Sequence, residues 1–533
     1  MQTSKELYQK LWNSADILRS NMDASEYKSY LLGLIFYKYL SDSQLEYVGE
    51  LLEVEDGKDL SFLLSTYRDF YESEDADDLI DELEFKFSYA IRPSLTFTAL
   101  IEEIDESRFE LAHLAQAFSE IENSNQNFEN LFEDIDLYSK SLGQSLAKQN
   151  ETIAKVMKEI SGLDLAKYSG DVLGDVYEYM IGNFAQESGK KAGEFYTPQE
   201  VSTLMAKIAM AGKEDVMGFT VYDPTMGSGS LLLNPRKFSN EKDTIKYYGQ
   251  EKNNRTYNLA RMNMILHAVP LESQVLSYGD TLAEDWPSDE PWTFDAVLMN
   301  PPYSAKWSAA KGFINDPRFA DFGGVLPPKS KADLAFLLHG LYHLKADGTM
   351  IIVLPHGPLF RGGAEGKIRR ALLENGSIDG IIGLPANVFF NTSIPTILMI
   401  LRKDKTDRSV FFIDAKDEFE KEGTQNILTE ENIEKIAQTY LAKEEIDKFS
   451  HLADFNEIKE NDFNLNIPRY VDTFEEEEPV DMIALASRME EVERALEADK
   501  TKLTSLLDQL EATDDKGKTA LDKIKKALGG QNA

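Results

Sequence analysis

Eight short runs of β-branched and aromatic residues between Phe219 and Asp414 constrain this chain more than any other feature. They are FTVYD (Phe219 to Asp223), IKYYGQ (Ile245 to Gln250), SQVLSYGD (Ser273 to Asp280), FDAVLM (Phe294 to Met299), TMIIVLP (Thr349 to Pro355), IDGIIGLP (Ile378 to Pro385), TILMILRK (Thr396 to Lys403) and VFFID (Val410 to Asp414). Helical patterns separate several of them. One is LAFLLHGLYHLKADG, whose final glycine reads as a helix stop. Strands alternating with helices predict an α/β fold built on a doubly wound, largely parallel sheet. The last two runs lack a full helix between them and are expected to form an antiparallel edge pair.

The flanks read differently. Residues 1–165 are expected to form a helical domain. Leu31 to Asp42 is apolar on most sides, as in a buried helix. Leu79, Ile80, Leu83 and Phe85 mark a second amphipathic stretch, and Phe128, Leu131, Phe132 and Ile135 a third. A catalytic domain is expected over 166–470. In the remaining segment, 471–533, four glutamates (Glu475 to Glu478) precede a helix. There Leu485, Met489, Val492, Leu496, Leu503, Leu506 and Leu510 form an a/d seam. LDKIKKAL reads as a last helix.

Three clusters carry chemistry. DPTMGSGS (Asp223 to Ser230) ends a predicted strand, and its glycines allow a tight turn and a close ligand approach. A dinucleotide fingerprint needs a third glycine where Leu232 stands, which weakens a nicotinamide reading. Asp223 suits a cationic ligand group. Glu251 ends the next strand, where a carboxylate can accept both hydroxyls of a ribose, and Asp280 ends the one after, within reach of a purine amine. A cation, a ribose and an adenine in that order describe S-adenosylmethionine. A glycine-rich turn with solvated acids is the bland reading.

NPPY (Asn300 to Tyr303) follows the strand FDAVLM, and its prolines fix a rigid loop. The Asn300 side chain and the Pro301 carbonyl offer two acceptors for an aromatic amine, favouring a pyramidal nitrogen and offsetting charge during attack. Tyr303 offers a face for stacking. A proline turn capped by asparagine is the bland reading. GEFYTP (Gly193 to Pro198) precedes an amphipathic run, with Thr197 near a helix cap and Pro198 in the first turn. Such an end can receive a carboxylate, and simple capping explains it equally well.

GEFYTP, DPTMGSG, the Glu251 and Asp280 strand ends and NPPY, in this order, resemble an amino-group DNA methyltransferase of the adenine-N6 type. With the helical N-terminal region, NNRTYNLARMNMILH and KADLAFLLHGLYHL, the chain resembles the modification subunit of type I restriction-modification systems, most strongly over Tyr168 to Lys403. The resemblance implies a Rossmann-like S-adenosylmethionine-dependent methyltransferase sheet. It implies catalytic Asn300, Pro301, Pro302 and Tyr303. It implies an S-adenosyl-L-methionine site formed by Glu194, Phe195, Tyr196, Thr197, Pro198, Asp223, Pro224, Thr225, Gly227, Ser228, Gly229, Glu251 and Asp280. The expected reaction is methylation of adenine N6 in duplex DNA with the base flipped out. The expected partners are a specificity subunit that reads DNA, a second copy of this chain in an M2S1 complex, and a restriction subunit. Methylation of a protein glutamine through the same NPPY chemistry is the alternative. Asn rather than Ser before the prolines favours adenine over cytosine by resemblance only.

Composition bears on the partner. With 56 Lys+Arg against 93 Asp+Glu, the net charge of −37 argues against coating DNA through an overall field. From Tyr303 to Lys331, however, Lys306, Lys311, Arg318, Lys329 and Lys331 outnumber Asp316 and Asp321. Trp307, Phe313, Phe319 and Phe322 interleave them, as in a loop that orders around a nucleic-acid strand. Lys306, Lys311, Lys329 and Lys331 are therefore candidate DNA contacts. His339 and His343 stand i, i+4 but have no third ligand near in sequence, so no metal is expected. RGGAEGKIRR lacks the spacing and the Ser/Thr of a P-loop. The absence of cysteine fits a reducing cytoplasm. MQTSKELYQKLW has no apolar core, so no secretory signal is expected, and no apolar run is long enough for a membrane span.

Overall fold

A computed structural model of the protein describes residues 4–19, 22–54, 59–163, 170–188, 196–289, 291–389, 393–423, 425–472 and 481–529. The chain divides into two compact units, Met1–Thr473 and Phe474–Ala533. The first begins with helices α1 (Ser4–Arg19), α2 (Ala24–Leu51), α3 (Leu60–Tyr71), α4 (Ala76–Phe87), α5 (Phe97–Asp105), α6 (Leu111–Ser124), α7 (Leu146–Ser161), α8 (Gly170–Ser188) and α9 (Gln199–Met210). Strands β1 (Thr220–Asp223), β2 (Lys246–Glu251), β3 (Gln274–Tyr278) and β4 (Phe294–Met299) follow, with α10 (Ser230–Leu233) and α11 (Asn254–Leu266) between them. Then come α12 (Asp333–Tyr342), β5 (Leu344–Pro355), α13 (Gly357–Phe360), α14 (Gly363–Glu374), β6 (Ile378–Gly383), β7 (Thr396–Leu401) and β8 (Val410–Asp414). The unit closes with β9 (Glu420–Glu422), β10 (Gln425–Ile427), α15 (Glu430–Ala442), β11 (Ser450–Ala453) and α16 (Phe455–Glu460).

One sheet takes the order β11-β8-β6-β7-β5-β4-β1-β2-β3. Successive side chains of each central strand point to opposite faces. Val221, Ala296, Leu298, Ile351 and Val353 therefore enter one core, while Tyr222, Val297, Met299, Met350 and Ile352 enter another. β1 to β5 run parallel, and strand order reverses at β1, which lies between β4 and β2. Asp223, Glu251, Asp280 and Asn300 thus emerge at one edge, at a topological switch point. This is the Rossmann-like, doubly wound sheet that the strand pattern predicts.

Four details differ from the sequence-based expectation. β7 and β8 do not pair. β7 inserts antiparallel between β5 and β6, whereas β8 lies parallel to β6 and is bordered by β11. Because β7 runs backwards, a short loop carries the chain past β6 without a helix. Second, α12 stops at Tyr342 and LKADG opens β5. Gly348 is a point of close approach, since a Cβ there would lie 2.9 Å from the Phe294 carbonyl oxygen, beside the register shift between β4 and β5. Third, Phe128, Leu131, Phe132 and Ile135 are all buried but sit on a 3-10 turn (Gln126–Phe128) and irregular turns rather than one helix. Fourth, Phe85 on α4 is 86% exposed, while Leu79 and Leu83 carry the packing.

The helical core formed by α1, α2 and α5 to α8 also takes in Leu259, Met262 and Leu266 of α11. One helix therefore serves both the helical layer and the sheet. Among the described residues no helix is long and apolar enough to cross a membrane. The second unit holds α17 (Met482–Asp508) and α18 (Asp515–Gly529). The seam residues of α17 are solvent-facing, from Leu485 at 42% to Val492 at 60% exposed.

Candidate active site

The site grows from strand ends. β1 delivers Asp223, whose Oδ1 accepts from the Thr225 backbone N–H at 2.8 Å and its hydroxyl at 3.3 Å. Oδ2 is buried without a hydrogen-bond partner. Burial, with the Glu251 charge adding to it, pushes the Asp223 carboxyl up to about 8. Gly227 (φ 55°) and Gly229 (φ 86°) adopt the left-handed conformation that makes the turn possible. The Gly227 N–H donates to Glu251 Oε2 at 3.1 Å, and Glu251 Oε1 accepts from the Asn253 N–H at 2.7 Å. Asp280 Oδ1 accepts from the Leu282 N–H at 3.1 Å, while Oδ2 pairs with Lys252 at 2.6 Å.

Asn300 is 6% exposed. Its Nδ2 donates to Thr197 Oγ1 at 3.1 Å, and its Oδ1 is buried with no partner. An orphaned buried acceptor carries a desolvation cost, so its direction is informative. Thr197 is thus turned to Asn300, and the residue flanking α9 at its start is Pro198, without a side-chain cap. This replaces the expectation of a threonine cap with proline in the first turn. The Tyr303 and Phe389 rings meet edge-to-face with centroids 6.4 Å apart. Burial raises the Tyr303 phenol, and Asp333 adds to the shift. Asp333 Oδ1 also accepts from the Ser304 N–H at 2.7 Å, anchoring the loop after NPPY.

One cavity brings together Tyr196, Thr197, Asp223, Pro224, Thr225, Gly227, Ser228, Glu251, Asp280, Asn300 and Pro302. Pro198 faces a neighbouring cavity instead. Gly229, Pro301 and Tyr303 shape the loops without lining the first cavity. Glu194 and Phe195 lie outside the described residues. Sequence reasoning missed Ile181 of α8, Leu259 of α11 and Phe336 of α12, which give this cavity an apolar wall. In the sequence they are ordinary apolar residues, and only the fold turns them toward the cavity. Three acids, one of them with an orphaned carboxylate oxygen, beside an apolar wall fit a cationic nucleoside ligand.

The comparisons with known proteins agree with this geometry. The N-6 DNA methylase family matches residues 168–479, and the HsdM N-terminal domain family matches residues 7–160. The chain belongs to the N-6 DNA methylase family, as a type I restriction-modification methylase subunit. It is 36% identical to the type I restriction enzyme MpnII methylase subunit of Mycoplasma pneumoniae, over 94% of this chain and 95% of that protein. It is 32% identical to the MjaVII methylase subunit of Methanocaldococcus jannaschii, over 92% and 82%. A crystal structure of a type I restriction-modification methyltransferase subunit from Streptococcus thermophilus is 63% identical, with a TM-score of 0.87 over 89% of this chain and 100% of that one. Such matches along nearly the whole length do not favour the protein-glutamine alternative.

In this methylase subunit the loop after NPPY differs from its sequence reading. Lys306, Lys311 and Lys329 are exposed and Lys331 is half-buried. The aromatics do not face outward. Trp307 and Phe319 are buried, and Phe313 and Phe322 pack against the same core. Apolar rings with a core within reach gain more from burial than from waiting for a ligand. Arg318 is 2% exposed. It pairs with Asp316 at 2.7 Å and donates to the Thr281 carbonyl at 2.9 Å and to His339 Nδ1 at 3.2 Å.

His339 and His343 do acquire a third ligand-type group, Asp285 from the β3–β4 loop, with the three ligand atoms within 4.8 Å. The bonds run as a directed chain, however. Arginine can only donate, so His339 Nδ1 accepts, its Nε2 donates to the Tyr222 hydroxyl at 2.8 Å, and Tyr222 donates to the Trp286 carbonyl at 2.7 Å. Burial holds His339 well below the usual imidazole range, with His343 and Arg318 adding to it. A guanidinium against the same ring opposes a bound cation. The cluster reads as a latch that fixes the 303–331 loop to the sheet.

Proposed function

We propose that this subunit transfers the methyl group of S-adenosyl-L-methionine to N6 of an adenine flipped out of duplex DNA. The observation that carries the reading is the buried, unpartnered Oδ1 of Asn300, a residue of the cavity wall whose Nδ2 is tied to Thr197. When bound, S-adenosylmethionine supplies the electrophilic methyl. Asp223 would hold its cationic end, Glu251 its ribose hydroxyls and Asp280 its adenine amine. Asn300 Oδ1 and the Pro301 carbonyl would accept the two hydrogens of the target amine. That concentrates the nitrogen lone pair for attack and stabilises the positive charge that develops on it. Attack by the amine nitrogen would take the methyl from sulfur, leaving S-adenosylhomocysteine, and one amine proton would pass to solvent. Tyr303 and Phe389 would stack on the extruded base. The family supports adenine as the acceptor; a chain without cysteine suits a reaction in a reducing cytoplasm.

Exposed Lys306, Lys311 and Lys329, with Lys331, would contact the DNA backbone. Reversing Lys329 and Lys331 to glutamate is expected to weaken DNA binding by the assembled enzyme and flatten its salt dependence. An unchanged salt slope would count against this loop.

DNA reading is delegated to a specificity subunit, flanked by two copies of this chain and joinable by a restriction subunit. The exposed seam of α17 would dock on that specificity subunit. Co-expression with the specificity partner should place N6-methyladenine at one recognition sequence. A chain truncated before Glu475 should place none and should lose the partner on purification. Modification by the truncated chain, or a modified base other than adenine, would refute the assignment.

A further inference from the structure

We propose that Glu178 is a positioning residue that ties the helical layer to both walls of the cofactor pocket. The proposal rests on the reading of that pocket as the S-adenosylmethionine site. Glu178 lies on α8, 3% exposed, lining two other cavities rather than the cofactor cavity. Its Oε1 accepts from Asn263 Nδ2 at 3.3 Å, and the same Nδ2 donates to the Ser228 carbonyl at 3.0 Å. Asn263 sits on α11, fully buried, and Ser228 lies in the glycine turn. One link therefore runs from α8 through Asn263 to the loop that would hold the methionine end of the ligand.

A second link leaves the other carboxylate oxygen. Gln199 opens α9, directly after Thr197 and Pro198. With its carboxamide turned to match its neighbours, its nitrogen donates to Glu178 Oε2 at 3.2 Å and its oxygen accepts from Lys237 Nζ at 2.8 Å. The Tyr196 hydroxyl donates to the Glu178 backbone carbonyl at 3.4 Å. Gly182, one turn along α8, lets the Tyr196 ring approach, since a Cβ there would lie 3.0 Å from it. The Tyr196–Gln199 segment carries Thr197, which holds Asn300. A single buried carboxylate thus anchors the glycine turn and the strap that orients the catalytic asparagine.

Packing alone does not account for this choice. An apolar side chain of similar volume would fill the space at lower desolvation cost. A carboxylate here instead imposes direction on two amides, which fixes two loops at once. The substitution Glu178→Gln keeps the side chain's shape and the acceptor for Asn263 Nδ2, and gives up only the bond from Gln199, whose oxygen stays with Lys237 Nζ.

The test is a calorimetric titration of S-adenosylmethionine into the full-length wild type, Glu178→Ala, Glu178→Gln, Asn263→Ala and the Glu178→Ala/Asn263→Ala pair, each with its Tm. Expected are about a tenfold loss of affinity for Glu178→Ala, a loss of at most about threefold for Glu178→Gln, and a double variant no weaker than the weaker single. A role in stability alone would lower Tm without moving the affinity of the folded protein. Wild-type affinity within about twofold in folded Glu178→Ala, or single effects that multiply in the pair, overturns the proposal. If Glu178→Ala does not fold, Asn263→Ala cuts the same path at its second link and must itself lose about tenfold; unchanged affinity there overturns the coupling. A wild-type chain that binds no S-adenosylmethionine removes the pocket reading itself, a result distinct from both.

Discussion

Asn300→Ala is expected to slow methyl transfer by about a thousandfold while leaving S-adenosylmethionine affinity within about threefold of wild type. The asymmetry follows from the geometry. Asn300 borders the cavity, but the carboxylates that would hold the cofactor are Asp223, Glu251 and Asp280. The Asn300 Oδ1 is a buried acceptor without a partner, so it becomes satisfied when an amine arrives. An interaction that strengthens as charge develops on the attacking nitrogen lowers the barrier without tightening the ground state. The measurement is single-turnover methylation by the assembled enzyme, paired with a binding titration. Undiminished turnover would sink the catalytic assignment. Collapse of cofactor binding would show instead that Asn300 is part of the cofactor wall.

The affinity for S-adenosylmethionine is expected to fall as the solution becomes more acidic, to about fiftyfold weaker at pH 6 than at pH 8. Burial, with Glu251 adding to it, lifts the Asp223 carboxyl to about 8 in the cofactor-free protein. A cationic ligand binds the carboxylate, so below that value a proton must leave for each ligand bound. Affinity then changes by about tenfold per pH unit and levels off above 8. The same shift bears on stability with the opposite sign. A carboxyl whose folded value is raised binds more protons folded than unfolded between its ordinary range and about 8. The cofactor-free protein therefore loses stability as pH rises through that window. Asp223→Asn should flatten both profiles and weaken binding at every pH. Calorimetry in buffers of different ionisation enthalpy reads the released proton. A flat affinity from pH 6 to 8 would show that Asp223 is already ionised in the empty pocket.

Much of the sheet and of the pocket was legible in the sequence. Each of the eight apolar runs contributes a strand; the central ones are buried on both faces, which calls for β-branched and aromatic residues, whereas β3 at the sheet edge stays partly exposed. Asp223, Glu251, Asp280 and Asn300 could be placed together because the carboxyl ends of parallel strands share one edge. The lysine loop was legible only in part. Its charges are at the surface, but its aromatic rings and Arg318 are in the core. Composition counts a basic side chain without showing which way it turns. Similarly, Gly348 reads as a helix stop until a neighbouring strand is placed against it.

The sequence by itself determined what is local: where strands and turns occur, which glycines permit a left-handed turn, and which side chains stand at strand ends. Only the tertiary structure decided how distant residues complete one another. It slid β7 between β5 and β6, set Asp285 beside two histidines, and turned Thr197 onto Asn300 across 103 positions. It also joined Glu178 to Asn263 across 85. Local steric and periodic rules act over a few residues. Hydrogen-bond partners so far apart are selected by how helices and sheet pack, and by the cost of burying a polar group that no neighbour in sequence can satisfy.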